Sequence, residues 1–369
     1  MKPFEIFVQV QNGLEDIALK ELERLGIKNY KRYKGGFELV GHLNIVYLLN
    51  LKGLCFSRVL IRLHKFIAKT FYDLEKEIKK VDFLPYLKKF DNLCIRVNSV
   101  TSSLYHESGI QERLHTYISK QCNKDFNLVG ESDTPNTQLI LLTSQHDHFI
   151  LSIDSSGQHL HKRGYLSHRA IAPLRETIAT AMFISVFDSD YEVICDPFCG
   201  SGTIPIEISR FFSALDSDNF RTFNFMKWDN FKEEYFKKVK NEHLQTYSTA
   251  PCIIGFDILD KNIQDAKNNF KSCKLKNNIV FETKNFFDIK KEFFSEYKKA
   301  LIITNPPWGK RIFNTDFKMI LNKLNSFNNK PDIVLIIPDN FLKNIRRYKT
   351  LFSIESGSII VSAIKIIDF

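Results

Sequence analysis

Asp196-Pro197-Phe198-Cys199-Gly200-Ser201-Gly202-Thr203 is the stretch on which the reading of this chain turns. It ends an apolar, strand-like run over 192–196 and leads into residues 204–212, whose apolar positions recur at helical spacing. Glycine lets the backbone approach a ligand closely, and the helix that follows offers free N–H groups. A turn of this kind suits a dinucleotide or a phosphate as well as other ligands. It is not a P-loop, because no Gly-Lys-Ser/Thr follows, and Pro205 stands where Gly-x-Gly-x-x-Gly would place its third glycine.

Outward from the turn, strand-like and helical runs alternate. Strands are expected over 252–256, 279–283, 301–304 and 333–337, with a helix from Asp260. Such a series implies a mostly parallel sheet that binds ligands at its strand C-termini. The runs 351–354 and 359–368, on either side of Gly357, are expected to close one edge as an antiparallel hairpin. Upstream, Pro173 is expected to open a helix through Thr177, Ala181 and Ile184. Nearer the N-terminus, 4–10 reads as a strand, and Asn12-Gly13 as a turn into an amphipathic helix carrying Leu14, Ile17, Ala18, Leu22 and Leu25. Further helices are expected over 43–51 and 109–121, and strands over 33–40, 58–67, 93–97, 139–143 and 149–153. A segment rich in Phe, Asn and Lys, 213–249, interrupts the second half.

The chain has 369 residues, enough for two or three domains. Its composition, 44% apolar and 25% charged, is that of a globular protein, and the net charge of +10 favours a polyanionic partner. Seven scattered cysteines form no Cys-x-x-Cys pair, so no zinc site is expected, and their pattern fits a reducing compartment. An early acid in Met1-Lys2-Pro3-Phe4-Glu5 argues against a signal peptide. No window reaches the roughly 18 apolar residues of a membrane span. The expectation is a cytoplasmic protein with no membrane and no metal partner.

The acids narrow the ligand. Asp257 ends the 252–256 strand, where its carboxylate can meet ribose hydroxyls, and Asp288 follows the next strand, where it can accept an adenine amino group. Acids, a glycine turn and no dedicated phosphate lysine suit S-adenosylmethionine, a cationic sulfonium without phosphate. Asp257 lies further from Asp196 than the about 20 residues of a simple βαβ unit, and the 213–249 insertion accounts for the excess.

Asn305-Pro306-Pro307-Trp308 comes about a hundred residues after the glycine turn, directly behind the apolar run Leu301-Ile302-Ile303-Thr304. A nucleobase exocyclic amine is a weak nucleophile because its lone pair is delocalised into the ring. The Asn305 side-chain oxygen and the Pro306 carbonyl can accept both N–H bonds and draw that lone pair toward a methyl group. Pro307 stiffens the turn, and Trp308 offers a face for base stacking, worth about 1–3 kcal/mol. Positioning and electrostatics then carry the rate, on a base taken out of its stack. Pro307 stands where a carbon-methylating enzyme would place cysteine, and Cys199 is expected to pack rather than react.

At these residues the chain resembles the bacterial THUMP-domain RNA guanine-N2 methyltransferases. The resemblance runs through Gly13-Leu14-Glu15, Ser103-Leu104-Tyr105-His106, the 151–157 stretch, His161-Lys162-Arg163-Gly164-Tyr165, Ala172-Pro173-Leu174-Arg175-Glu176-Thr177, Phe225-Met226-Lys227-Trp228, the glycine turn and 305–309. It implies an α/β chain with a ferredoxin-like domain over 1–67, a THUMP RNA-binding domain over 68–165 and a class I, Rossmann-like methyltransferase domain with a seven-stranded sheet over 166–369. It further implies S-adenosylmethionine held through Asp196, Pro197, Phe198, Gly200, Gly202 and Thr203. Glu176 or Thr177 would help at the methionine end, and Asp257 and Asp288 would serve as above. The substrate would be a guanine N2 in structured RNA, ribosomal RNA favoured over transfer RNA, with Lys162, Arg163 and Arg113 on its phosphates. Adenine N6 is the other amine that Asn-Pro-Pro-aromatic serves, and a silent RNA-binding assembly factor is the non-enzymatic alternative. Trp308 departs from the family's usual Tyr, and no second methyltransferase domain follows Phe369, so a single modification is expected.

Overall fold

The computed structural model describes residues 3–166, 174–213, 221–242, 250–275, 279–308 and 317–369. The chain opens with β1 (Phe4–Val10), which buries alternate residues Ile6, Val8 and Val10. Helix α1 (Glu15–Arg24), strands β2 (Lys31–Tyr33) and β3 (Gly36–Gly41), helix α2 (Leu43–Lys52) and the long strand β4 (Phe56–Ile67) follow. Next come α3 (Phe71–Ile78), α4 (Leu84–Leu87), β5 (Asn92–Val100), α5 (Glu107–Cys122), β6 (Asn127–Leu128), β7 (Thr137–Gln145) and β8 (His148–Asp154). The second half runs α6 (Glu176–Val186), β9 (Val193–Asp196), α7 (Thr203–Ser213), α8 (Glu233–Asn241), β10 (Cys252–Asp257), α9 (Asp260–Cys273), β11 (Ile279–Thr283) and β12 (Ala300–Thr304). It ends with α10 (Phe317–Asn325), β13 (Asp332–Pro338), β14 (Arg347–Ser356) and β15 (Ile359–Asp368). Among the described residues no helix is long and apolar enough to cross a membrane.

The chain forms two compact units. The first gathers Met1–Gln9, Ile27–Leu160 and Ser217–Glu242. Its eight strands make one sheet in the order β2-β3-β1-β4-β8-β7-β5-β6, continuous across the boundary expected near residue 67. The antiparallel pairs β2–β3 and β7–β8 close through short turns, whereas the parallel pair of β5 and β7 needs a crossover, which α5 supplies. A Thr70–Asp73 capping box starts α3, and left-handed Asn123 (φ 47°) ends α5.

In the core of this unit the buried Asp154 carboxylate accepts from Arg58 at 2.6 Å and from the Gly157 backbone N–H at 2.9 Å. Residues 221–242 complete the same core. Tyr47 packs on Phe225, Phe231 and Phe236, and the buried Trp228 indole donates to Gln138 Oε1 at 3.1 Å. The aromatic stretch read as an insertion of the second half is therefore structural in the first unit.

The second unit gathers Val10–Gly26, His161–Asp216 and His243–Phe369. Its seven strands run β11-β10-β9-β12-β13-β15-β14, parallel up to β13 and closed by the antiparallel β14–β15 hairpin expected around Gly357. This is the class I arrangement expected from the sequence. Apolar residues of β9, β12 and β13 (Val193, Ile302 and Leu335 among them) share a core with Phe317, Ile320 and Leu324 of α10. Helix α1 buries Ile17, Ala18 and Leu22 in this unit and packs against α6.

Gly13 (φ 95°) fits only as glycine. A Cβ there would lie 1.9 Å from the Ser353 carbonyl oxygen of β14. Gly13→Ala is expected to lower stability by about 2 kcal/mol or more, read as a shift in the urea midpoint at unchanged slope.

Candidate active site

The glycine turn lies where β9 ends at the middle of the seven-stranded sheet. Gly200 (φ 54°) and Gly202 (φ 86°) adopt left-handed conformations that other residues disfavour. A Cβ on Gly202 would press on Ala266 and Phe281 at 3.0 and 3.1 Å. The turn is pinned to the end of β10 by two bonds: Cys199 N donates to the Phe256 carbonyl at 2.8 Å, and Gly200 N donates to Asp257 Oδ2 at 3.0 Å. Pro197 is buried, and the half-buried Phe198 ring lies 4.8 Å from that of Phe286. Thr203 is buried as the first residue of α7.

Asp196 is 3% exposed and accepts from the Phe198 N–H at 3.1 Å and the Thr304 hydroxyl at 2.5 Å, both through Oδ1. Burial pushes its carboxyl up to about 7; the bonds from Thr304 and Phe198 oppose that rise, and the nearby Asp257 adds to it. Cys199 is buried and its thiol is held far above the usual range, chiefly by burial, which fits a packing role.

Asp257 is half-buried at the end of β10. Its carboxylate accepts from Gly200 N, Leu259 N and the Asn262 side chain, at 3.0, 2.9 and 3.0 Å. About four acceptor sites exist on a carboxylate, so it ties down the turn and keeps roughly one site for a ribose hydroxyl. Asp288 is exposed in a short 3-10 turn after β11. Asn285, which sequence reasoning passed over, starts that turn by accepting the Phe287 N–H at 3.1 Å. A position just past a strand end was the signal that could have found it.

Glu176 and Thr177 are buried in the first turn of α6. That helix begins at Glu176 with Arg175 as its N-cap; Pro173, expected to open it, lies outside the described residues, as do Ala172 and Gly309. Strand β12 is the neighbour of β9, and Asn305 follows its last residue, Thr304. The acceptor motif therefore stands beside the glycine turn, with the Thr304–Asp196 hydrogen bond joining the two strand ends. Asn305 is half-buried, Pro306 is buried and Pro307 is half-buried. The Trp308 indole N–H donates to Asn305 Oδ1 at 3.0 Å, a bond a tyrosine or phenylalanine could not make in this way.

The expected contact of Arg163 with RNA phosphates does not survive. Arg163 is 1% exposed, and its guanidinium pairs with the buried Glu207 at 3.4 Å. Tyr165 OH and Thr180 Oγ1 also donate to Glu207, at 2.7 and 3.0 Å, and Arg210 lies 3.7 Å away. Lys162 is half-buried. In the first unit Arg113 is partly committed: its guanidinium lies 3.8 Å over the Phe71 ring and pairs with Glu75 at 3.2 Å.

Acids at the ends of β9 and β10 and after β11, together with a glycine turn, form an acceptor set suited to a cationic, phosphate-free nucleoside ligand. Residues 163–325 match the family described as RMKL-like, methyltransferase domain. A Synechocystis protein provisionally named an RNA methyltransferase is 30% identical over 315 residues, 83% of this chain and 80% of that protein. A Methanocaldococcus jannaschii tRNA (guanine(6)-N2)-methyltransferase is 28% identical over 84% of this chain and 82% of its own length. The ribosomal RNA large subunit methyltransferase K/L of Methylococcus capsulatus is 25% identical over 84% of this chain; the match spans 42% of that relative. Among crystal structures, a Listeria monocytogenes protein described by prediction as an N6-adenine-specific DNA methylase superposes with a TM-score of 0.81 at 25% identity, covering 98% of this chain and 96% of that one. On these matches and on the sheet order, glycine turn and Asn-Pro-Pro motif, the chain belongs to the RMKL-like family of class I, S-adenosylmethionine-dependent RNA methyltransferases.

Proposed function

We propose that this chain methylates the exocyclic N2 amine of a guanine in structured RNA, with 23S ribosomal RNA as the favoured substrate. The observation that carries the reading is the adjacency of the two strand ends: Asn305 follows Thr304, which is hydrogen-bonded to Asp196 at the start of the glycine turn. S-adenosylmethionine, when bound, supplies an electrophilic methyl group. Asp196, Gly200 and Gly202 would hold its methionine end, and Asp257 a ribose hydroxyl. Asp288 is proposed for the adenine end, and Glu176 and Thr177 as helpers at the methionine end.

Asn305 Oδ1 and the Pro306 carbonyl accept the two amine N–H bonds, which localises the nitrogen lone pair for attack. An amide oxygen accepts two hydrogen bonds, so the Trp308 N–H can stay in place while the amine binds. That N–H also fixes which way the Asn305 amide faces. The proton that the methylated nitrogen sheds passes to solvent. The eight-stranded first unit is proposed as the ferredoxin-like and THUMP module that grips RNA by shape, with Arg113 near phosphates and the net charge of +10 in support; Lys162, which belongs to the second unit, is proposed as a further phosphate contact. The work of such an enzyme lies in the cytoplasm.

Transfer RNA is the second reading, because the tRNA guanine-N2 relative aligns along most of its own length while the K/L relative aligns along less than half. Labelled methyl transfer to unmodified ribosomal RNA, transfer RNA and DNA in parallel, with nucleoside identification, separates these readings. N2-methylguanosine in ribosomal RNA is the expected product. Label only in transfer RNA moves the substrate, and N6-methyladenosine sinks the guanine reading.

Cofactor binding should also depend on pH through Asp196. Its carboxyl titrates at about 7, so below that pH the ligand-free protein carries it protonated. A cationic ligand favours the carboxylate, so binding below pH 7 releases a proton. Affinity should fall by up to about tenfold per pH unit as pH drops below 7, and level off above it. The sign for stability is opposite: a raised acid favours the fold while protonated, so its contribution fades as pH rises from the usual carboxylate range toward 7. Calorimetric titration of S-adenosylmethionine across this window should show the slope, and Asp196→Asn should flatten it.

A further inference from the structure

Beside the acceptor motif the second unit has a cavity of about 220 Å³ lined by Asn305 and Trp308. Its walls are mixed, with Ile178 of α6 and Ile336 of β13 on the apolar side and Gln11 and Ser356 on the polar side. Two charged residues of opposite sign also line it, Arg175 and Glu355. Arg175 is the exposed N-cap of α6, and its guanidinium reaches Gln11 Oε1 at a long 3.5 Å. Glu355 lies at the tip of the β14–β15 hairpin, held in register opposite Ile360. Among the described residues its carboxylate takes no hydrogen bond or ion pair. The buried neighbours Ile354 and Val361, also opposite each other, anchor the tip.

Base chemistry gives this pair a meaning. When an exocyclic amine sits at Asn305, the next atom along the Watson–Crick edge separates the bases. In guanine it is N1–H, a donor. In adenine it is N1 and in cytosine N3, both acceptors whose lone pairs a carboxylate repels. Beyond guanine N1 comes the O6 acceptor, which an arginine satisfies. Enzymes that take a base out of its stack read it through this edge.

We propose that Glu355 and Arg175 select guanine, Glu355 accepting N1–H beside the reacting N2 amine and Arg175 donating to O6. The inference rests on the N2 reading above and adds the residues that set its base specificity. Both residues act on the base itself, whereas phosphate contacts elsewhere set overall RNA affinity.

The test uses the full chain. The nucleotide labelled by the wild type is mapped, and an RNA fragment is made with guanosine or 2,6-diaminopurine ribonucleoside at that one position. Diaminopurine keeps the C2 amine but presents an unprotonated N1 and an amine in place of O6, so it reverses both proposed contacts. The wild type should prefer guanosine. Glu355→Gln should narrow the guanosine-to-diaminopurine ratio of kcat/KM by about tenfold or more, mainly by losing activity on guanosine, with KM for the RNA and S-adenosylmethionine affinity unchanged. Glu355→Asp should restore part of the ratio, and Arg175→Ala should lower it independently. Wild-type N2-methylguanosine formation with an unaltered ratio in Glu355→Gln and Arg175→Ala overturns this proposal alone. Formation of N6-methyladenosine by the wild type overturns it together with the N2 reading.

Discussion

Asn305→Ala is expected to lower kcat by about a hundred- to a thousandfold or more while S-adenosylmethionine affinity stays within about twofold. In the proposed mechanism the amide oxygen accepts an N–H bond that strengthens as positive charge grows on the attacking nitrogen. An interaction made mostly in the transition state appears in kcat and little in KM. The side chain also holds Trp308 through the indole N–H, so its loss frees the stacking face of the pocket at the same time. Asn305→Asp keeps an oxygen at the position and is expected to fall between the two. Single-turnover transfer to unmodified ribosomal RNA, beside calorimetric cofactor titration, separates the chemical defect from a binding one. Equal activity in Asn305→Ala and wild type would remove the motif from the mechanism.

The largest stability effect is expected at Glu207. Its fully buried carboxylate accepts from Tyr165 and Thr180 and faces the buried guanidinium groups of Arg163 and Arg210. Glu207→Ala removes the carboxylate that pairs with both buried cations, with Glu176 and Glu21 remaining as acids near Arg163. Breaking a buried pair in this way costs about 3–5 kcal/mol, far more than an exposed ion pair contributes. Glu207→Gln keeps the shape and some hydrogen bonding, and is expected to cost less. Urea denaturation followed by intrinsic fluorescence reads both; a loss of under about 1 kcal/mol for the alanine variant would contradict the role assigned to the cluster.

The second unit was the more legible one. Its sheet could be read because its parallel strands are short apolar runs, and because the glycine turn and Asn305 mark two neighbouring strand ends. The hairpin around Gly357 was legible for the same reason, as two apolar runs on either side of a residue that tolerates positive φ. Arg163 misled because a Lys-Arg pair in a polar stretch reads as a surface cation. The residue that buries it, Glu207, lies 44 positions away and looks like one more charge on a helix. Asp257 was placed at the right strand end, but its backbone partners are invisible in sequence, so the share of its capacity spent on the turn could not be seen. Local pattern also gave no hint of which unit owns α1 or residues 221–242, since ownership depends on partners such as Tyr47 and Gln138 far along the chain.

That exchange of segments has a consequence for biosynthesis. Domains generally fold in order as they leave the ribosome, which adds about 5–20 residues per second. Here the first unit cannot complete its core until residues 221–242 have emerged, because Trp228 and the Phe225, Phe231 and Phe236 rings belong to it. By then the nascent chain already carries the glycine turn and α7 of the second unit, whose remaining strands are still to be made. The amino-terminal half must wait, with Tyr47 and Gln138 uncovered, for more than sixty residues after β8 before it closes. A gene fragment cut near residue 166 would give translation a natural stopping place but the protein none: its product would hold an unfinished core and a helix, α1, whose packing partner α6 was never synthesised.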